Sequence, residues 1–377
     1  MEGSCAIRGA RPWSGRINRV YVTAMSDSDQ AGSAPARRFS RTGLYLPFAI
    51  LLGIIVAWSG FWFYARHRAE QALDAWLALE KLAGRTWSCP ERTIDGYPFR
   101  MQITCAAPSF VGPLKGENGR PVQVTGRLGG FVAEALVYQP NRLIATLTGP
   151  LQIESADGRG ATVTWRSLRA SVEGKPDHLG PFSLVADDAA VQLTGAAEPA
   201  GRAKSLEIHI RPHPGGETGA YDFASTIEGA QVPLLDALAG SSDPARLVLQ
   251  ASASKLAGLD GRNPPAALEA WRLAGGSLQV ARLRFEKGAI SIDGIGNISV
   301  DAGHFPNGQI ETRVSGAEQL LARFGLGGGA GQLGGLLGSI LGGEKQGRAA
   351  PGLKLTLRLN GGRAHFGPFA WPLKPLY

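Results

Sequence analysis

The chain has 377 residues, 44% of them hydrophobic and 19% charged, which is enough for a sizeable core in two domains or in one large domain plus a membrane segment. The net charge of +8 is split evenly: seven Arg against three acidic side chains in residues 1–42, and 32 basic against 28 acidic side chains in residues 65–377. A nucleic-acid binder would gather its Lys and Arg on one face with aromatics between them, and no such run occurs beyond residue 70, so that class is excluded.

Residues 1–42 read as a basic, disordered cytoplasmic tail. The first 24 differ in character from the rest, and Met25, which opens the polar stretch MSDSDQAGSAPARR, is the expected start of translation. From Gly43 to Tyr64 the chain then runs 22 residues without a charge. As a helix that stretch measures roughly 33 Å, enough to cross a hydrocarbon core of about 30 Å. Tyr45, Trp58, Trp62 and Tyr64 stand near its ends, where interfacial aromatics are favoured, and Pro47 falls in the first turns, where a missing amide costs little. Arg37, Arg38 and Arg41 precede the segment, whereas Arg66 and Arg68 are soon followed by Glu70 and Asp74. That bias predicts a cytoplasmic N-terminus. Phe61, Trp62, Phe63 and Tyr64 crowd the place where a cleaved signal would need small residues, so a signal anchor is expected. The expected location is the inner (cytoplasmic) membrane, crossed once, with the bulk of the chain in the periplasm.

Residues 65–84 follow as a juxtamembrane helix. Its apolar stripe runs through Ala69, Ala72, Leu73, Trp76, Leu79 and Ala83, with Glu80 intruding into the same arc and Gly84 supplying a stop. Cys5 lies in the tail; Cys89 and Cys105 lie beyond the span, 16 positions apart, on either side of Asp95-Gly96. A hairpin there would bring the two sulfurs together, and a disulfide suits an oxidising compartment. A metal pair would need further ligands and no His adjoins either Cys, while a nucleophilic thiol outside the cytoplasm would tend to oxidise.

Residues 85–377 are expected to form a β-rich domain, as 52 Gly and 24 Pro suit many strands joined by tight turns. Leu206, Ile208 and Ile210 alternate with Glu207, His209 and Arg211. The same alternation runs through Ile310, Thr312 and Val314, and through Leu353, Leu355, Leu357 and Leu359. It marks antiparallel strands with one buried and one wetted face. Further strands are expected near 121–127, 131–138, 142–154, 161–173, 181–193, 219–229, 245–255, 277–287 and 289–301. Turns are expected at Asp293-Gly294, Pro306-Asn307-Gly308 and Asn360-Gly361, and short helices at 233–239 and 265–274. A Gly/Leu-rich insertion at 325–343 reads first as a flexible loop between two strands, since so many glycines weaken any helix, with a membrane-touching segment or a weak amphipathic helix as the alternatives. The fold class is therefore mainly β (β-rich α+β): an N-terminal transmembrane helix, then a large, elongated and curved antiparallel sheet with a few short helices.

No chemistry stands out. Gly329, Gly331 and Gly334 fit G-x-G-x-x-G, but no apolar strand precedes them. His209 and His213 are four apart at a strand end interrupted by Pro212, roughly 13 Å in extended chain, and His209, on the wetted face with Glu207 and Arg211, reads as solvated. Asp187-Asp188 reads as a solvated pair. Walker A, HExxH and GxSxG motifs are missing from the sequence, and no catalytic, cofactor-binding or metal-binding residues are assigned.

Three segments together resemble a family. They are Cys89 to Cys105 enclosing Asp95-Gly96-Tyr97-Pro98-Phe99-Arg100; Ala135 to Asn141 followed by Leu147 to Leu151; and Leu355 to Arg363 followed by Phe366-Gly367-Pro368-Phe369. This pattern is similar to DUF2125, uncharacterised membrane-anchored proteins of alphaproteobacteria, and the resemblance brings no catalytic residues with it. The segments Gly288 to Gly294 and Gly308 to Val314 faintly resemble AsmA-type envelope proteins, a likeness that implies curved sheets associated with lipid movement or envelope assembly. The leading expectation is a non-enzymatic, membrane-anchored envelope protein whose β-rich domain binds lipid or takes part in envelope biogenesis. The alternatives are an assembly factor that binds other envelope proteins and, last, a hydrolase. No cofactor and no nucleic-acid partner is expected.

Overall fold

Helix α1 (Arg41–Leu82) opens the part of the chain that this computed structural model describes, namely residues 41–115, 121–174, 179–217, 219–256, 264–316, 353–366 and 369–377. Met25, Cys5, the glycine motif at Gly329, Gly331 and Gly334, and the insertion at 325–343 lie outside these residues. Leu44–Leu82 is long and apolar enough to cross a membrane. The chain divides into two compact units, Met1–Ile54 and Ile55–Tyr377. In the first, the described stretch is helical and leaves Leu44, Phe48, Leu51, Leu52 and Ile54 exposed.

The second unit begins with the rest of α1 and is otherwise dominated by one 18-stranded antiparallel sheet. Its strands are β1 (Thr86–Ser88), β2 (Glu91–Asp95), β3 (Arg100–Ala106), β4 (Ser109–Lys115), β5 (Pro121–Leu136), β6 (Gln139–Ser155), β7 (Gly160–Thr164), β8 (Ser167–Gly174) and β9 (Leu179–Leu193). They continue as β10 (Gly201–Pro212), β11 (Tyr221–Ala230), β12 (Ala245–Ala253), β13 (Leu278–Lys287), β14 (Ile290–Val300), β15 (Pro306–Ser315), β16 (Leu353–Asn360), β17 (Arg363–Phe366) and β18 (Phe369–Pro372). From β8 onward every strand pairs with the next in sequence. Before that, β3 and β4 share the two halves of β5, and β7 and β8 share the two halves of β6 and of β9. Strand β1 pairs with β4, and β2 with β3. The expected mainly-β class is what the protein adopts.

Several local expectations change. The strands expected at 121–127 and 131–138 are one strand, β5, and 161–173 is broken at Trp165-Arg166 into β7 and β8. Asp293-Gly294 lies inside β14 rather than in a turn, paired with Arg313 and Thr312. The space there is tight, since a Cβ on Gly294 would stand 3.2 Å from the buried Ile310 side chain. Pro306-Asn307-Gly308 likewise opens β15. The real turn is Asp301–Phe305, where the Asp301 carboxylate accepts from the Gly303 and Phe305 amides, each at 2.9 Å. Asn360-Gly361 does turn, with Gly361 and Gly362 both at positive φ.

The short helices are α2 (Pro233–Ala239) and α3 (Pro264–Leu273). The Asp236 side chain of α2 receives the buried Lys287 ammonium at 2.5 Å. Trp271 of α3 packs with Tyr221, Ala253 and Leu256, and its indole donates to Ser254 O at 2.7 Å. Glu269, on the same helix, is forked by Arg272 and also accepts from the Tyr377 hydroxyl. Arg272 foremost, then Tyr377, hold its carboxyl down to about 2.

Candidate functional site

Within the second unit, the lower part of α1 is fastened to the β2–β3 turn. Gly96 takes φ +106, and a Cβ there would meet Arg100 O at 2.8 Å, so the turn depends on glycine. The turn then presents its carbonyls to the helix. Trp58 Nε1 donates to Pro98 O at 2.9 Å and Trp62 Nε1 to Arg100 O at 3.1 Å, while Ser59 Oγ bonds the Tyr97 hydroxyl at 2.8 Å. Trp62 is only 2% exposed and meets the Tyr97 ring edge-on. Val137 N donates to Phe99 O, which draws the β5–β6 turn into the same group.

Starting from buried Trp62, the covered face of α1 passes through Ala65, Ala69, Leu73, Leu77 and Glu80 at helical spacing. This corrects the expected stripe. Ala69 and Leu73 belong to the covered face, but Ala72, Trp76, Leu79 and Ala83 are exposed because Trp62 fixes a different rotation. Glu80 has a partner of its own. Arg85 forks it at 2.6 and 2.7 Å and the Trp87 indole donates to it, and these bonds, Arg85 first, lower its carboxyl to about 2.

Between this helix and β3, β5 and β6 lies a cleft of about 380 Å³. Phe61, Tyr64, Ala65 and Ala69 line it from α1; Met101, Ile103, Ala133, Ala135 and Leu143 line it from the sheet and Val137 from the β5–β6 turn; Arg68 is its one charged lining residue. Arg68 also donates to Gln71.

The sheet wall of the cleft continues as a single apolar face. Residues directly opposite one another in an antiparallel sheet share a face, so the register can be followed from strand to strand. Met101 pairs with Ala135, then in turn come Leu143, Val172, Phe182 and Ile210. The line goes on through Phe223, Ala251, Val280, Gly296, Ile310 and Leu357. A second line two residues along starts at Ile103 and Ala133 and runs through Leu184, Ile208, Leu249 and Leu283 to Thr312 and Leu355. A third starts at Cys105 and Phe131 and ends at Ile292 and Val314. The face therefore crosses twelve strands, roughly 50 Å at about 4.8 Å per spacing, and is about 13 Å wide along the strands. Bulges keep it in phase: the register shift after Gln250 returns both Val280 and Leu283 to the apolar side. Much of it, including Val172, Phe182, Leu184, Ile208 and Leu249, is only half-buried.

The reverse face is polar. Glu207, Thr226, Val248, Arg284, Asp293, Arg313 and Lys354 follow one another there, with Arg284–Asp293 at 3.4 Å and Arg246–Glu228 at 3.2 Å beside them.

The structure disperses the sequence candidates for chemistry. Cys89 and Cys105 are joined in a disulfide, and Cys105, 1% exposed, sits at one border of the apolar face. His209 bonds Ser183 and lies near Glu207, whereas His213 bonds Asp222 at 2.6 Å, so the two point to different partners. Asp187 accepts from Ser167, and Asp188 pairs with Arg166. Ser252 bonds the same Asp222 as His213 does, at 2.9 Å, so no His serves it as a base. Among the described residues no group of three His, Cys, Asp or Glu is placed to hold a metal ion. Sequence reasoning missed the cleft and the joining of helix to turn. The signal was present in Tyr97-Pro98-Phe99-Arg100, a segment noted for its pattern and not for what it touches.

A family model described as an uncharacterised protein conserved in bacteria, DUF2125, matches residues 62–371. No curated protein and no solved structure matches the chain, and the likeness to AsmA-type proteins is not confirmed.

Proposed function

We propose that this chain, which belongs to the DUF2125 family of uncharacterised bacterial proteins, is a non-enzymatic, membrane-anchored envelope protein whose apolar sheet face takes up the acyl chains of membrane lipid. The observation that carries the reading is the register-aligned apolar face, which begins in the cleft beside α1 and stays half-open across the sheet. The uncharged Gly43–Tyr64 segment anchors the chain in the inner membrane, and the arginine bias puts the tail in the cytoplasm. A Cys89–Cys105 disulfide suits the periplasm for the rest.

The energetics favour sheltering over capture. An acyl chain in a bilayer is already out of water, so the face gains little by competing with the bilayer. It instead removes the cost of leaving, about 0.8 kcal/mol for each methylene that would otherwise meet water. Lipid extraction and mass spectrometry of the full-length protein, purified in mild detergent, tests the reading. At least one lipid per protein is expected beyond that retained by a single-span control, and retention equal to the control would refute it.

A second reading, a docking face for another envelope protein, draws on Trp76, Leu79 and Leu82, exposed on α1 at 44%, 65% and 85%. Crosslinks from Leu79→Cys to another polypeptide, without retained lipid, would favour it.

A further inference from the structure

The joining of helix to turn has a consequence for where the β-domain stands. Trp58, Ser59 and Trp62 all lie inside the uncharged segment that ends at Tyr64, and Ser59 is only five residues, about 7 Å of helix, from that end. Whatever is hydrogen-bonded to these three residues shares their depth. Their partners are Tyr97, Pro98 and Arg100 of the β2–β3 turn. Tyr97 and Phe99 nevertheless remain 50% and 61% exposed, and Tyr138, next to the Val137 amide that bonds Phe99 O, is 60% exposed.

We propose that Tyr97, Phe99 and Tyr138 form an aromatic foot seated in the interfacial layer of the bilayer that α1 crosses. Exposed aromatics of this kind belong at the level of lipid headgroups, where an apolar ring and a polar edge are both satisfied. The surrounding charge fits the same occupant. Arg66 and Arg68 follow the span and Arg142 follows the β5–β6 turn, while Arg66 and Arg100 are paired with Glu70 and Glu134, so Arg68 and Arg142 are the cations near this end that suit anionic phospholipid. Seated this way, the cleft opens at headgroup level and not into bulk water. The inference goes beyond the uptake of lipid by the sheet, and it rests only on α1 being a span.

The test uses the full-length protein in nanodiscs of phosphatidylethanolamine and phosphatidylglycerol, with Cys5→Ser removing the tail thiol. A nitroxide is attached at Phe99→Cys, at Tyr138→Cys or, as a control, at Ala196→Cys. Ala196 is exposed in the β9–β10 connection, at the strand ends opposite those near Tyr138. Collision rates with oxygen and with a water-soluble nickel chelate report depth. The foot predicts that labels at 99 and 138 meet oxygen several-fold more often than nickel, while the label at 196 shows the reverse. Nickel access at 99 and 138 equal to that at 196 overturns the proposal. So does a label shielded from both reagents, which would place a protein partner over the foot. Resistance of the unlabelled protein to carbonate extraction tests the span by itself, so failure there is separable from failure of the foot.

Discussion

Lys287 is 1% exposed, and its ammonium is held by Asp236 at 2.5 Å and by the Asp243 carbonyl at 2.7 Å. A charge this far from water is stabilising only while its partners remain. Asp236→Ala should therefore cost about 3–5 kcal/mol, because it strands the ammonium, whereas Lys287→Met keeps the volume, removes the desolvation penalty and should be near neutral or stabilising. Denaturant midpoints of the two variants would check the contrast, and equal losses would contradict it. The sequence offered no hint of this pair, since Lys287 reads as an ordinary strand-end lysine 51 positions from Asp236. Glu80 was legible only as an anomaly in an apolar arc. Its reason, Arg85 and Trp87 just past the helix end, became visible once the chain had turned.

At the scale of elements, alternation was a reliable guide wherever one strand kept one phase. Leu206–Ile208–Ile210 and Ile310–Thr312–Val314 lie where their period predicts, each on the apolar face. The strand expected at 277–287 is β13, although a bulge between Val280 and Leu283 adds a residue that changes the parity of the pattern without changing the face. Turn chemistry was misread at Asp293-Gly294, which lies within β14. Gly294 and Gly296 sit mid-strand so that β15 can approach, and a Cβ on Gly296 would stand 2.7 Å from Ile310 Cα and collide with Gln309 O. Gly296→Ala should accordingly destabilise the protein by about 1–3 kcal/mol, the usual cost of overpacking. A thermal or urea melt unchanged from the parent would show that the two strands have room to part. The helices were easier. Pro233–Ala239 coincides with its expected span, and Pro264–Leu273 is shifted by one residue.

For the whole molecule, the mainly-β class and the apolar span were readable from composition and periodicity, while the continuous face was not. A strand shows its own two sides, but which side meets which neighbour is fixed by register, and register is set between segments far apart in sequence. The prediction at this scale concerns sidedness. Leu249 lies on the apolar face and Gln250, one residue on, lies on the other. Leu249→Lys should lower retained lipid about tenfold, equivalent to about 1.4 kcal/mol, because a charge now stands in the path of the acyl chain. Gln250→Lys should leave retention unchanged. Lipid content measured beside circular dichroism separates this from unfolding, and equal effects of the two variants would mean that lipid does not distinguish the faces.

The pairing of each strand with its predecessor from β9 to β18 also governs how the sheet can be assembled. As the polypeptide emerges N-terminus first, every new segment finds its template already laid down. Most connections to be closed are short, residues 254–277 and 316–352 being the long exceptions, and each new strand adds at the edge left by the one before it. The unpaired edges that invite aggregation in slow-folding sheets are thereby held to a minimum. Construction can then proceed like knitting, row upon row away from α1.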